Sequence, residues 1–288
     1  LKFGITGKKN SAEVYDIARR LCEWLCERDI EFFVEERLGR SIDAKNLLAE
    51  RDLAATVDII VVFGGDGSFI WVSRLVQGND VSILGCNLGG LGFLTEFTVD
   101  EFFPMMERVL AGDYEIERRD MISCYVARKD GEREEFKVLN DIVINNGPIS
   151  KVVDLSIYIE EKYVTTFKAD GIIFATPTGS TAYSLSAGGP IIYPTLPVIT
   201  VTPICPHILT NRPIVVPNTK KIRTRVLTDI QNTYLTLDGQ VGVPLYLGDE
   251  VVLEDSESYV NIIKSPFRDY FNILKTKLMW SGRYQNSE

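Results

Sequence analysis

The first part of the chain alternates between short, wholly apolar runs and stretches in which apolar residues recur at helical spacing. KFGIT, residues 2–6, reads as a strand breaking at Gly7, and SAEVYDIARRLCEWLCERD then shows helical periodicity from a Ser11 N-cap. EFFVEE gives a second short strand, DAKNLLAERDLA a helical stretch, and DIIVVF a strand apolar on both faces, as found inside a parallel sheet. SFIWVSRLV returns to helical periodicity, VSILGCN is another buried strand, and VDEFFPMMERVLAGD is a helix ending near Gly112. Strand and helix alternate through about residue 115, which predicts an open α/β layer with a parallel sheet.

From residue 118 the texture changes. ISCYVARK, EFKVLNDIVI, DLSIYIEEKYVTTFK, GIIFATP, PVITVTPI, IRTRVLT, TYLTLDGQ, EVVLEDS and YVNIIKS are strand patterns separated by Asn, Gly and Pro. Close turns between alternating runs predict a β-rich half, arranged as a sandwich or in antiparallel layers. DYFNILKTKLMW regains helical spacing and is expected to pack back on the first domain. The expected organisation is an α/β domain over 1–117, with 266–288 returning to it, and a β-rich domain over 118–265.

Composition narrows the partners. Among 288 residues, 45% are hydrophobic and the formal net charge is −9, so the overall field repels nucleic acid and anionic membrane. A small anion such as a nucleotide stays compatible, because backbone amides and one or two local cations can hold a phosphate. No signal-like apolar segment and no window of 18 apolar residues occurs, so a cytoplasmic protein is expected. The five cysteines are odd in number and scattered, which fits a reducing compartment. Cys22 and Cys26 stand one helical turn apart, but with a single histidine and no second Cys pair, helix packing is a better reading than a metal site.

Three stretches carry candidate chemistry. IVVFGGDGSF places Gly64, Gly65, Asp66, Gly67 and Ser68 between a buried strand and a helix, where open α/β sheets bind ligands. Glycines there let phosphate oxygens approach the backbone, and Asp66 can take a proton from a hydroxyl, hold Mg²⁺, or simply serve as a helix N-cap. Neither the P-loop nor the G-x-G-x-x-G pattern is present. CNLGGLGFLTE supplies a second glycine cluster containing Phe93, a residue suited to stacking on a base or to closing the core. KADGIIFATPTGSTAYSLSAGGPI gathers Asp170, Thr178, Ser180, Thr181, Tyr183 and Ser186, donors and acceptors for ribose or amide groups. A serine triad finds no support, since G-x-S-x-G is absent and His207, the sole histidine, lies in a proline-flanked segment. Asn140 and Asp141 open a strand and suit either paired hydroxyls or a turn.

Taken together, GGDGS, NLGGLGFLTE, LNDIVI, ADGIIFATPTGSTAYSLSAGGPII and TPICPHILTNRPIVV, in this order, resemble bacterial NAD kinases along nearly the whole chain. The resemblance implies phosphoryl transfer from ATP, or from polyphosphate, to the 2′-hydroxyl of the adenosine ribose of NAD, with a divalent metal ion, Mg²⁺ or Mn²⁺. It implies Asp66 as the group that activates that hydroxyl, Gly64, Gly65, Gly67 and Ser68 as the phosphate-binding turn, and Phe93 near the adenine. Asn140 and Asp141 would hold the adenosine side, Asp170, Thr178, Thr181, Ala182, Tyr183 and Ser186 would line the dinucleotide, and Asp238 would stand at the site edge. In the family pattern many relatives carry Glu at the position of Asp141 and Thr at that of Ser68; Asp141 is one methylene shorter, which can change the ribose geometry, while Ser68 keeps the hydroxyl. The family pattern also implies a homodimer or homotetramer. A lipid or sugar kinase sharing the GGDG turn, or a dinucleotide-binding regulator without catalysis, are the alternative readings.

Overall fold

The computed structural model describes residues 1–129, 131–147, 152–228 and 233–280, so the last eight residues of the returning segment 266–288 lie outside it. The chain divides into two compact units, one formed by Leu1–Arg118 with the segment from Val260 onward, the other by Arg119–Tyr259.

The first unit opens with β1 (Phe3–Gly7), α1 (Ala12–Cys26), β2 (Phe32–Glu35), α2 (Glu36–Ser41), β3 (Leu47–Leu48) and α3 (Glu50–Thr56). It continues with β4 (Ile59–Phe63), α4 (Asp66–Leu75), β5 (Ser82–Cys86), α5 (Val99–Leu110) and β6 (Ile116–Asp120). All five residues of β1, β4 and β5 are buried, as expected for central strands covered on both faces. In α1, Ser11 caps the first turn and Val14, Ile17, Ala18, Leu21 and Leu25 form the buried stripe. In α5, Thr98 and Glu101 form a reciprocal capping box above Phe102, Met105, Met106 and Val109. The stretch DAKNLLAERDLA divides into β3 and α3, because Leu47 and Leu48 pair in parallel with Val34 and Glu35 before the helix starts.

The second unit contains β7 (Ile122–Ala127), β8 (Arg133–Val138), β9 (Asp141–Asn146), β10 (Val153–Ile159), β11 (Lys162–Ala169) and β12 (Gly171–Ala175). A 3₁₀ turn (Thr178–Thr181), α6 (Tyr183–Ser186), β13 (Val198–Ile204), β14 (Ile214–Pro217) and β15 (Ile222–Val226) follow. β16 (Thr233–Leu237), β17 (Val241–Leu245) and β18 (Glu250–Glu254) complete it. Two six-stranded antiparallel sheets result, ordered β11-β10-β15-β18-β7-β8 and β14-β13-β12-β9-β16-β17. Side chains of both, including Leu155, Val251, Ile144, Phe174 and Leu235, share one core. The run EFKVLNDIVI is two strands, β8 in one sheet and β9 in the other, and the chain changes sheet at Leu139 and Asn140.

The chain ends with β19 (Tyr259–Ile263) and α7 (Tyr270–Leu278). β19 is YVNIIKS, whose texture groups it with the β-rich half. Its backbone instead pairs in parallel with β5, Asn261 opposite Ser82, in the sheet ordered β3-β2-β1-β4-β5-β19-β6. β5 needs a partner on its open side, and a strand arriving from distant sequence supplies it. α7 belongs to the same unit, with Ile273 and Leu274 buried and Asp269 as N-cap. Among the described residues no helix is long and apolar enough to cross a membrane. All five cysteines are free, and burial pushes the Cys86 and Cys124 thiols up to about 12.

Ile262 is 1% exposed and lies opposite Ile83. Ile262→Ala is expected to cost about 2–5 kcal/mol, measured by urea unfolding. A loss within error of zero would mean that β19 is dispensable to the first unit.

Candidate active site

In the first unit, Gly7, Phe63 and Cys86 are register partners across β1, β4 and β5, so the loops after these strands leave the sheet side by side. The loop after β4 is the GGDG turn. Gly64 has φ +152°, and a Cβ there would press on Ser68 Oγ, so a side chain is excluded by both conformation and space. Gly65 is the N-cap of α4 and Asp66 its first helical residue, so the carboxylate does not cap its own helix.

The carboxylate of Asp66 is bound by the loop after β5 instead. Its Oδ2 accepts from Phe93 N at 2.9 Å, and its Oδ1 accepts from Leu94 N at 3.0 Å, Thr95 N at 3.1 Å and Thr95 Oγ1 at 3.1 Å. Four donors meet a group with about four acceptor sites. Three of them crowd Oδ1, which leaves room on Oδ2 for one more. A Cβ on Gly92 would overlap both Asp66 Oδ1 and Thr95 Oγ1, so the second glycine cluster exists to let this loop close on the carboxylate. Asn87 Nδ2 reinforces it by donating to Thr95 Oγ1 at 3.1 Å. Phe93 is half-buried outside the core, with the Lys277 ammonium 5.9 Å from its ring centroid.

In the second unit, a cavity of about 260 Å³ is lined by Asn140, Asp141, Ala182, Tyr183 and Asp238 of the sequence-derived set. Val143, Asn145, Thr236 and Gly239, which sequence reasoning did not single out, complete it. Asp238 is a buried part of the cavity wall. Its carboxylate accepts from Leu139 N at 3.2 Å, Asn140 N at 2.6 Å and Asp141 N at 3.3 Å. From the other direction Thr176 Oγ1 donates to Leu139 O at 2.6 Å and Thr176 N to Asn140 O at 2.9 Å. The segment 139–141 is thereby clamped, yet Asn140 Oδ1 is buried without a partner. Burial and, second, the charge of Asp238 push the Asp141 carboxyl up to about 7.

The other residues of the set stand elsewhere in this unit. Thr178 is buried in the 3₁₀ turn, where Arg119 Nη1 donates to its hydroxyl at 3.4 Å, and Thr181 Oγ1 donates back to Thr178 O at 3.3 Å. Asp170 is half-buried between β11 and β12, and Ser186 is exposed at the end of α6. None of these four lines the cavity. Thr176 and Arg119 are structural supports that sequence reasoning left unassigned, although Thr176 lies within the quoted stretch 168–191; Ser180, named there as a donor or acceptor for a ligand, instead bonds Pro177 O and the Ile192 backbone. His207 is exposed, its amide donating to Lys168 O.

Two outcomes follow. Gly64→Ala is expected to destabilise by about 1 kcal/mol or more, while Gly67 lies in the first turn of α4 and a Cβ there meets nothing within 4 Å, so Gly67→Ala should unfold at the parent's urea midpoint or above it. Equal midpoints for both variants would contradict the strain at Gly64. For Asp141, the raised carboxyl pKa means that the folded chain holds more protons than the unfolded one between the ordinary value of 3.8 and about 7. Stability therefore falls as pH rises through that window. Asp141→Asn removes this titration, so its gain in melting temperature over the parent should grow from pH 5 to pH 8. A gain that does not change with pH would refute the shift.

A family model described as the ATP-NAD kinase N-terminal domain matches residues 3–114, and one described as the ATP-NAD kinase C-terminal domain matches residues 139–265. The chain is 46% identical over 283 residues to an NAD kinase of Syntrophotalea carbinolica, covering 98% of this chain and 99% of that one. To an NAD kinase of Geotalea daltonii it is 45% identical over 282 residues, with the same coverage. Among solved structures, yeast NADH kinase complexed with NADH aligns with a TM-score of 0.90 at 26% identity, over 100% of this chain and 90% of that one. An NAD kinase from Archaeoglobus fulgidus in complex with ATP aligns with a TM-score of 0.77 at 26% identity, over 98% and 100%. Matched by family models in both halves and by relatives over almost its full length, the chain belongs to the ATP-NAD kinase family.

Proposed function

We infer that this protein is an NAD kinase, which transfers a phosphoryl group from ATP, or from polyphosphate, to the 2′-hydroxyl of the adenosine ribose of NAD. The bond from the phosphorus to the donor's bridging oxygen breaks, a bond to the ribose oxygen forms, and the hydroxyl proton leaves to a base. The observation that carries the mechanism is the single carboxylate, Asp66, set in a turn otherwise built of glycine and fixed by three backbone amides. A ribose hydroxyl is a poor nucleophile near neutral pH, and a positioned carboxylate base contributes about 10²–10⁴-fold. Asp66 Oδ2, with one acceptor direction open, is the atom that takes the proton. Gly64, Gly65, Gly67 and Ser68 offer close backbone approach to the transferred phosphate, and alignment with charge neutralisation supplies the remainder of the catalysis.

The dinucleotide is held by Asn140, Asp141, Ala182, Tyr183 and Asp238 around the second unit's cavity, and the family resemblance adds Asp170, Thr178, Thr181 and Ser186 to its contacts. Asn140 Oδ1 is a buried acceptor awaiting a donor, which an adenine amino group or a ribose hydroxyl provides. Phe93, outside the core, offers a ring face to the adenine. The divalent cation, Mg²⁺ or Mn²⁺, would neutralise charge on the phosphates, held by phosphate oxygens and water, the usual manner for Mg²⁺ in kinases. We place the enzyme in the cytoplasm as a homodimer or homotetramer.

Asp66→Asn tests the base. Its new NH₂ cannot accept from Phe93 N, so the assay needs a binding control. NADP formation is expected to fall at least about a hundredfold while NAD binds within a few-fold of the parent. Turnover close to the parent's would remove Asp66 from this role.

A further inference from the structure

The loop after β1, Lys8, Lys9 and Asn10, has no part in the reaction described so far. It lies against the GGDG turn: Lys8 N donates to Phe63 O at 2.8 Å, and Lys8 Cβ is 3.4 Å from where a Cβ on Gly64 would sit. The strand order gives this place a meaning. From β1 the chain steps outward to β2 and β3, then returns to β4 on the other side of β1. The boundary between β1 and β4 is thus the point where the winding reverses, and in open α/β sheets ligands bind outside the carboxyl ends of the strands at that point. The loops flanking it are the GGDG turn and Lys8–Asn10.

A cavity of about 70 Å³ opens beside the β1 loop, lined by Lys8, Lys9, Asn10, Tyr15, Arg37 and Ser41 among others. Lined by two lysines and an arginine, it suits a phosphate group. Lys8 and Lys9 are exposed, and neither forms an ion pair among the described residues. Arg37 Nη2 donates to Gly7 O at 3.3 Å and to Glu35 at 3.1 Å, which brings the guanidinium to the end of β1 and leaves its buried Nη1 without a partner. Glu35 accepts from Arg37 Nε and Nη2 and from the amides of Arg37 and Leu38, so it is saturated within its own turn. The cavity therefore presents three cations against one already satisfied carboxylate, in a chain whose net charge is −9. Arg37 also lies 5.9 Å from the ring of Trp71 on α4, the helix that begins at Asp66.

We propose that Lys8, Lys9 and Arg37 bind the non-transferred phosphates of the phosphoryl donor. This rests on the NAD kinase reading and adds the donor side of the same reaction. The transferred phosphate stands in the GGDG turn, and the phosphates behind it reach the neighbouring β1 loop, where lysines act as point charges and the free Nη1 as a directed donor. A linear polyphosphate presents the same groups and meets the same residues.

The test is the double variant K8Q/K9Q, whose side chains are exposed and outside the core. Removing charged contacts to phosphate is expected to raise the KM for ATP at least about tenfold, with the KM for NAD within about twofold of the parent. Inorganic tripolyphosphate should inhibit the parent competitively against ATP and lose potency against K8Q/K9Q by a similar factor. An unchanged KM for ATP, or a rise in the KM for NAD in its place, overturns the assignment. If the parent forms no NADP from ATP, the NAD kinase reading itself fails. Calorimetric binding of tripolyphosphate then decides the anion site alone: loss in K8Q/K9Q sustains it, and equal binding in both proteins overturns it.

Discussion

The hydrogen bonds from the Phe93, Leu94 and Thr95 amides to the Asp66 carboxylate join the loop after β5 to the turn after β4. Two flexible, glycine-rich segments become one structure through a single side chain. A carboxylate meeting several oriented amides is held by charge-assisted bonds, which are shorter and stronger than those between neutral groups. The constraint propagates outward. It requires glycine at position 92, it turns the Thr95 hydroxyl inward, and it holds the loop between the Asn87 and Phe97 amides that extend the edge of β5.

The second unit uses the same device at another place. Asp238, in a left-handed turn between β16 and β17, gathers the amides of Leu139, Asn140 and Asp141 where the chain passes from one sheet to the other. In both units a carboxylate organises backbone that has no regular partner. Asp141 buried next to Asp238, Asn140 Oδ1 without a donor and Arg37 Nη1 without an acceptor are local conflicts with good folding. Such conflicts concentrate at functional sites, where a bound molecule relieves them.

Much of the fold was legible because its central elements are written in apolar runs. β4 and β12 are each five consecutive buried residues, and α1 and α5 carry their caps and stripes in plain sequence. The region from Glu36 to Thr56 was harder: it is polar, its helices are one or two turns long, and β3 exists through its pairing with β2. The strand YVNIIKS was legible as a strand, but its sheet was not, since alternation within a segment says nothing about which edge it will meet.

Sequence by itself determined that an acidic residue would stand among glycines after a buried strand, that hydroxyl residues would cluster after GIIFATP, and that the motifs together mark one family. Those facts depend on residue type and order. Tertiary structure decided what each group touches. The partners of Asp66 are backbone amides, which every residue but proline carries and which leave no trace in the sequence. Asp141 acquires its raised carboxyl pKa in the folded chain, when Asp238, remote in sequence, is brought to its side as burial removes water. Arg37 reaches the β1 loop through the parallel pairing of β1 with β2, which sets the end of one strand beside the start of the helix that follows the other. Local chemistry is encoded along the chain, and the electrostatic environment of each group arises from contacts between segments far apart in it.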